Sequence, residues 1–152
     1  MATNIIQPFS DEYFMQKALI EAKKAFDKGE VPVGCVIVCQ NQIIARSFNL
    51  TETLTDVTAH AEIQAITAAS NSLGGKYLTD CTLYVTIEPC VMCAGALGWS
   101  QISKVVYGAS DSKRGFTLVA PKALHPKTQV LCGILENECA QLMKLFFEAR
   151  RN

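Results

Sequence analysis

The chain has 152 residues, 49% of them apolar, and its 14 basic and 14 acidic side chains cancel to a formal net charge of zero. That length suits a single domain over 1–152 with a real core and falls short of two ordinary ones. No apolar run approaches the ~20 residues that span a bilayer, no secretory signal opens the chain, and neutral charge speaks against a strongly basic nucleic-acid binder.

Ser10 followed by Asp11 and Glu12 predicts a helix start, an N-cap hydroxyl with acids facing the positive end of the dipole. Phe14, Ala18, Leu19, Ala22, Ala25 and Phe26 repeat at helical spacing, and Gly29 stops the run. Val33 to Cys39 and Ile43 to Phe48 are predicted strands, joined by a short Gln40-Asn41-Gln42 hairpin turn. Gly34 marks either close approach by a ligand or a tight helix-to-strand turn. The polar stretch 49–57 reads as a loop, the kind of segment that carries binding groups. Thr58 is the predicted cap of a second helix, whose first turn holds His60 and Glu62 and whose end is Gly74-Gly75. Leu83 to Ile87 predicts a strand buried on both faces; the helix from Val91 is rich in small residues and closes at Trp99. Lys104 to Tyr107 and Gln129 to Cys132 predict two more strands on either side of a long connection, Asp111 to Lys127. Cys139, Leu142, Met143, Phe146 and Phe147 then form an apolar stripe on a last helix ending at Arg150-Arg151. Alternating strands and helices predict an α/β fold: a three-layer α/β/α arrangement with a mixed five-stranded sheet and right-handed crossovers.

Charge is unevenly spread. Glu52, Asp56, Glu62, Asp80 and Glu88 face only Lys76 across 51–90, whereas Lys104, Lys113, Arg114, Lys122 and Lys127 face only Asp111 across 104–128. The basic segment reads as a phosphate-facing surface or as a solvated loop. Seven cysteines, an odd number without a secretory signal, predict free thiols in a reducing, cytoplasmic setting. Cys35, Cys39, Cys81, Cys132 and Cys139 sit among apolar neighbours and read as core.

The other two cysteines carry chemistry. Thr86-Ile87-Glu88-Pro89-Cys90-Val91-Met92-Cys93 reads as a strand end, a proline-marked turn and a helix start. Thiolates at i and i+3 lie on one face of a helical turn, so one metal ion can bridge them. Taken alone, the pair is equally a redox pair or two small core residues. Upstream, Thr58-Ala59-His60-Ala61-Glu62 adds an imidazole and a carboxylate; alone, His60 reads as a capping residue and Glu62 as a solvent charge. Together they give three candidate metal ligands, His60, Cys90 and Cys93, one fewer than a structural zinc takes, which leaves a fourth position for water. Zn2+ suits thiolate and imidazole donors and lowers the pKa of a bound water from ~15.7 to about 7. His60 and Glu62 point roughly 200° apart on a regular helix. They converge only if the site lies beyond the helix end, with Glu62 as a proton shuttle and not a ligand. Hydroxide attack plus a proton shuttle describes hydrolysis at an electrophilic carbon.

His60-x-Glu62 followed by Pro89-Cys90-x-x-Cys93 resembles the zinc-dependent cytidine deaminase superfamily. The likeness extends over nearly the whole chain. Glu30-Val31-Pro32-Val33-Gly34, Leu83-Tyr84-Val85-Thr86, Asp111-Ser112-Lys113 and the ending Phe146-Phe147 with Arg150-Arg151 are similar to bacterial tRNA-specific adenosine deaminases. The resemblance implies a cytidine deaminase-like fold, zinc on His60, Cys90 and Cys93, and Glu62 as the catalytic, non-ligating proton carrier. It implies Val33 and Asn49 around the base, Asp111 at the flanking nucleotides, and Phe147, Arg150 and Arg151 against RNA. The implied substrate is a tRNA anticodon stem-loop, whose wobble adenosine becomes inosine, and the implied assembly is a homodimer. Turning a base outward from a single-stranded loop costs only a few kcal/mol.

Three positions depart from that pattern. Trp99 stands where many such enzymes have histidine, Gln101 where they usually have arginine, and Asp56-Val57 lacks the proline commonly found before Thr58-Ala59-His60; Trp99 is similar to the related bacterial guanine deaminases. Two other readings therefore stand beside the first. One is a deaminase of a free base or nucleoside, guanine first and then cytosine. The other is a non-catalytic zinc-stabilised RNA-binding module, which needs a fourth protein ligand from Cys35, Cys81 or His125.

Overall fold

The Ser10 hydroxyl accepts the Tyr13 amide at 3.2 Å and starts helix α1 (Asp11–Asp27), as the sequence predicts. In the computed structural model, which describes residues 5–151, β1 (Gly34–Cys39) and β2 (Gln42–Phe48) follow. After them come α2 (Ala61–Leu73), β3 (Cys81–Ile87), α3 (Val91–Ser100), β4 (Lys104–Ala109), the short α4 (Phe116–Val119), β5 (Gln129–Cys132) and α5 (Glu136–Arg150). The hairpin turn has two residues, Gln40 and Asn41, both at positive φ (51° and 62°), the backbone that matches strand twist in a tight hairpin.

The sheet runs β2-β1-β3-β4-β5. β1 pairs antiparallel with β2 and β3, whereas β3–β4 and β4–β5 are parallel. Side chains alternate across it. Cys35, Ile37, Leu83, Val85, Val105 and Tyr107 meet Ala61, Ala65 and Ala69 of α2 and Ala94 and Leu97 of α3. Val36, Val38, Tyr84 and Val106 meet Phe14, Met15, Ala18 and Leu19 of α1 and Cys139, Leu142 and Met143 of α5. This is the three-layer mixed sheet expected from the sequence. The parallel strands reach it through helices, which carry each chain segment back over a face of the sheet.

Gly34 is now accounted for. A Cβ there would run into the main chain of α1 at Ala18 and Ala22, so the close approach is by a helix and not by a ligand.

Other expectations change. Thr58 does not cap α2: its amide and hydroxyl both bond Asp56 Oδ1, at 2.8 and 2.7 Å, and the N-cap position falls to His60. Asp56 offers a carboxylate two residues back, and that local turn outcompetes the helix. Cys35, Cys81 and Cys139 are buried as read, but Cys39 is half-buried and Cys132 is exposed. All four residues of β5 are exposed, because the strand is the outermost of the sheet. The connection 111–127 contains α4, whose Phe116 is buried against Tyr107. Among the described residues no helix is long and apolar enough to cross a membrane.

Candidate active site

The carboxyl end of β3 and the amino ends of α2 and α3 meet at one place, beside the start of β1. Sheet direction switches between β1 and β3, and open α/β sheets bind ligands at such switch points. His60 is the N-cap of α2, with extended backbone (φ −69°, ψ 155°), and Cys90 is the N-cap of α3 (φ −74°, ψ 175°). Neither side chain caps its own helix. Both therefore project ahead of the helical barrel, which resolves the angular conflict between His60 and Glu62 in favour of a site beyond the helix end. Both helices also aim their positive ends inward, favouring thiolate.

Each N-cap is pinned. The Gln64 amide donates to the Phe48 carbonyl at 2.8 Å and to the Ala59 carbonyl at 3.1 Å, tying the entry to α2 onto the end of β2. The Ser47 hydroxyl donates to the Ala61 carbonyl at 2.6 Å. On the other side, Pro89 accepts the Phe116 amide at 3.0 Å, and Cys90 bridges to Gly115.

His60, Cys90 and Cys93 offer ligand atoms that all lie within 4.8 Å of one another. His60 Nδ1 is 3.7 Å from Cys90 Sγ and 3.5 Å from Cys93 Sγ. A tetrahedral zinc with bonds of about 2.3 Å to sulfur and about 2.05 Å to nitrogen separates those atoms by ~3.6 Å. The donor set fits zinc in spacing as well as in kind. A hydrogen bond from Cys93 pulls Cys90 down to about 4, against the opposing effect of burial, and pushes Cys93 far above the ordinary thiol range. Glu62 stands outside the ligand group and is only 3% exposed. Burial pushes its carboxyl up to about 7, the Cys90 charge adding to the rise and His60 opposing it. Cys35, Cys81 and His125 stay out of the cluster. Cys35 lies 3.3 Å from the Ser47 hydroxyl, Cys81 faces Cys39 at the far end of β3, and His125 Nδ1 accepts the Lys127 amide at 3.1 Å.

A cavity of about 260 Å³ opens onto this cluster, and His60, Glu62 and Cys90 share its wall with Val33, Asn49 and Asp111. Phe147, Arg150 and Arg151 do not reach it. They line an adjoining groove of about 670 Å³, which shares Ile87, Asp111 and Met143 with the cavity wall. Of the five basic residues in 104–128, only Lys113 lines that groove. Lys104 instead lies 3.7 Å from Asp11, on another part of the surface. Asp111 Oδ1 accepts the amides of Lys113 and Arg114 at 2.9 and 3.0 Å, so part of its carboxylate shapes the turn. The Arg150 guanidinium donates to the Gly29 carbonyl and lies 4.4 Å over the Phe146 ring, which ties it to its own chain.

Two buried acids on either side of the site, Glu88 and Glu30, were not singled out from the sequence. Glu88, 5% exposed, accepts the Asp111 amide (3.1 Å) and the amide and hydroxyl of Thr117 (3.0 and 2.6 Å). Glu30 holds the opposite loop in the same way. An acid set directly against a buried strand or a strand-leading proline is the signal that marks both, since charge there needs a dedicated set of donors.

The chain belongs to the cytidine and deoxycytidylate deaminase family: the model of that family's zinc-binding region matches residues 8–109. It is thus a zinc-dependent hydrolytic deaminase. A tRNA-specific adenosine deaminase of Bacillus subtilis (strain 168) is 45% identical, over 93% of this chain and 91% of that protein. A structure from a study of A-to-I editing by tRNA:A34 deaminases at the wobble position superposes with a TM-score of 0.80 at 43% identity, covering 86% of this chain and 98% of that one. A guanine deaminase of Bacillus subtilis superposes with a TM-score of 0.64 at 41% identity, covering 66% of this chain and 65% of the other. At more than 40% identity, the matches to tRNA-specific adenosine deaminases cover a larger share of this chain than the match to that guanine deaminase does.

Proposed function

We propose that this protein converts adenosine to inosine at the wobble position of a tRNA anticodon, as one deaminase domain over 1–152 acting as a cytoplasmic homodimer. The tRNA reading is supported by a groove set directly beside the cavity, the two sharing Ile87, Asp111 and Met143 as wall residues. A free base needs only the cavity. A nucleotide within a strand needs a path for its neighbours as well. The guanine alternative gains nothing from Trp99, which is 86% exposed at the far end of α3 and lines neither the cavity nor the groove.

In this reading His60, Cys90 and Cys93 hold zinc, which when bound supplies an activated water for attack on C6 of adenine. Glu62 does the proton work: it delivers one proton to N1 and a second to the departing amine, so that adenosine and water give inosine and ammonia. Asn49 presents an amide to the base edge, and Val33 an apolar wall to its face. Asp111 and the groove receive the flanking nucleotides, with Phe147 offering a ring for stacking and Arg150 and Arg151 a positive margin. A second copy is supported by exposed apolar side chains on α3 and α4, namely Val91, Trp99, Leu118 and Val119.

Separate incubations with an anticodon stem-loop and with guanine test the assignment. Inosine and ammonia are expected from the RNA, and no xanthine from guanine; xanthine without inosine moves the assignment to a free-base enzyme. Arg151→Glu is expected to weaken stem-loop binding and to flatten its dependence on log salt by about 0.7 for each phosphate no longer neutralised. Titrations across a range of salt concentrations check this, and an unchanged slope takes Arg151 out of the interface.

A further inference from the structure

Glu30 is fully buried, yet it belongs neither to the metal cluster nor to the cavity wall. Its carboxylate accepts the Glu52 amide at 3.0 Å, the Thr53 amide at 2.7 Å and the Thr53 hydroxyl at 2.7 Å. An uncompensated charge at such depth costs several kcal/mol, so these three donors are what make it tolerable. The residue's own backbone is rigid. α1 ends in a turn in which Gly29 takes φ 77° and the Glu30 amide bonds back to the Ala25 carbonyl at 2.9 Å. A fixed helix end thus carries a fixed carboxylate, which grips the middle of the loop that follows β2.

That loop begins with Asn49. The tethers of the Asn49 side chain are long: Nδ2 lies 3.4 Å from the Val31 carbonyl, and Oδ1 lies 3.3 Å from the Thr51 amide. Bonds near that limit hold a side chain weakly, whereas charge-assisted bonds of 2.7–3.0 Å are roughly twice as strong as neutral ones. Main-chain bonds from Asn49 N to Val33 and from Leu50 N to Ala59, both of 3.0 Å, tie the start of the loop to its surroundings, and bonds from Leu54 N to Leu50 and from Asp56 N to Thr51, of 2.9 and 3.0 Å, close it on itself. Asp56 closes the end of the loop on Thr58, and Glu30 grips its middle from outside the loop.

We infer that Glu30 is a positioning residue: by clamping Glu52 and Thr53 it sets the place of Asn49 and Thr51 in the cavity wall, and hence the fit of the base. The inference rests on the placement of Asn49 at the base in the proposed function. It goes further by locating what holds that side chain in register.

The test compares wild type, Glu30→Gln, Asn49→Ala and the double variant for kcat and KM on the stem-loop, together with hydrogen exchange over 50–55, zinc content and Tm. Glu30→Gln trades one acceptor oxygen for an NH2, which must then face a donor, since one oxygen accepts the Glu52 amide and the other the amide and hydroxyl of Thr53. KM is expected to rise at least about tenfold, the scale of a hydrogen bond to a charged group, with kcat within about twofold. Exchange over 50–55 should quicken while zinc content holds. The double variant should lose no more than the worse single one, because both act through one side chain. Thr53→Val, which removes one donor from an exposed position, should move KM and exchange in the same direction by less, without lowering Tm. A fall in kcat at constant KM, the mark of a smaller folded fraction, overturns the inference, and so do multiplicative losses in the double variant. Wild type that leaves the stem-loop unchanged refutes the substrate. Exchange over 50–55 needs no substrate and still decides whether Glu30 holds the loop: unchanged protection in both Glu30→Gln and Thr53→Val overturns it.

Discussion

Glu62→Ala is expected to lower kcat/KM by about 10²–10⁴-fold, the usual worth of a positioned acid–base group, while zinc content stays at the wild-type level. The two outcomes separate because Glu62 lies outside the ligand group although it is more deeply buried than His60 and Cys90. Ammonia release and metal analysis on the same preparation check both. Loss of zinc from this variant would make the carboxylate a ligand and leave the site without its proton carrier. Glu62→Gln sharpens the result, since it keeps size and hydrogen bonding but cannot carry the proton. Its activity should fall as far as that of the alanine variant.

Cys93→Ala is expected to do the opposite to the metal. Cys93 is fully buried, and its sulfur, at 3.5 Å from His60 Nδ1, is one of only three donors. Two donors on separate helix ends do not close a zinc site, so zinc content and turnover should vanish together. Stability provides a second measure. Zinc bound to the folded state alone raises the wild-type Tm with concentration, whereas the Tm of the variant should not respond. A variant that still binds zinc in full would return Cys93 to the core residues.

Most of the architecture was legible because its signals are local. The hydroxyl and acids at Ser10, Asp11 and Glu12, the β-branched run from Val33 and the small-residue helix after Val91 each announce an element without help from elsewhere in the chain. The three candidate metal donors were legible for the same reason: each lies in a short pattern at a helix start. Thr58 misled because two local solutions competed there, and the Asp56 carboxylate was the better partner. Glu30 and Glu88 were hidden because their partners lie 22 to 29 residues away, on loops that only the folded sheet brings within reach. The bond from Arg150 to the carbonyl of Gly29 was hidden because nothing at the end of a helix foretells a partner 121 residues earlier. Cys132 looked like core because its neighbours are apolar. It is exposed because four strands lie to one side of β5 and none to the other.

That last strand has a practical consequence for counting copies. An outermost strand with open backbone groups invites a second chain. Here it also displays a thiol, and in the presence of an oxidant two such thiols join in a disulfide. The resulting species has twice the mass of the chain and owes nothing to the apolar surface of α3 and α4. Weighing the assembly in reductant, or after replacing that sulfur with a hydroxyl, keeps an artefact of storage from passing for biology.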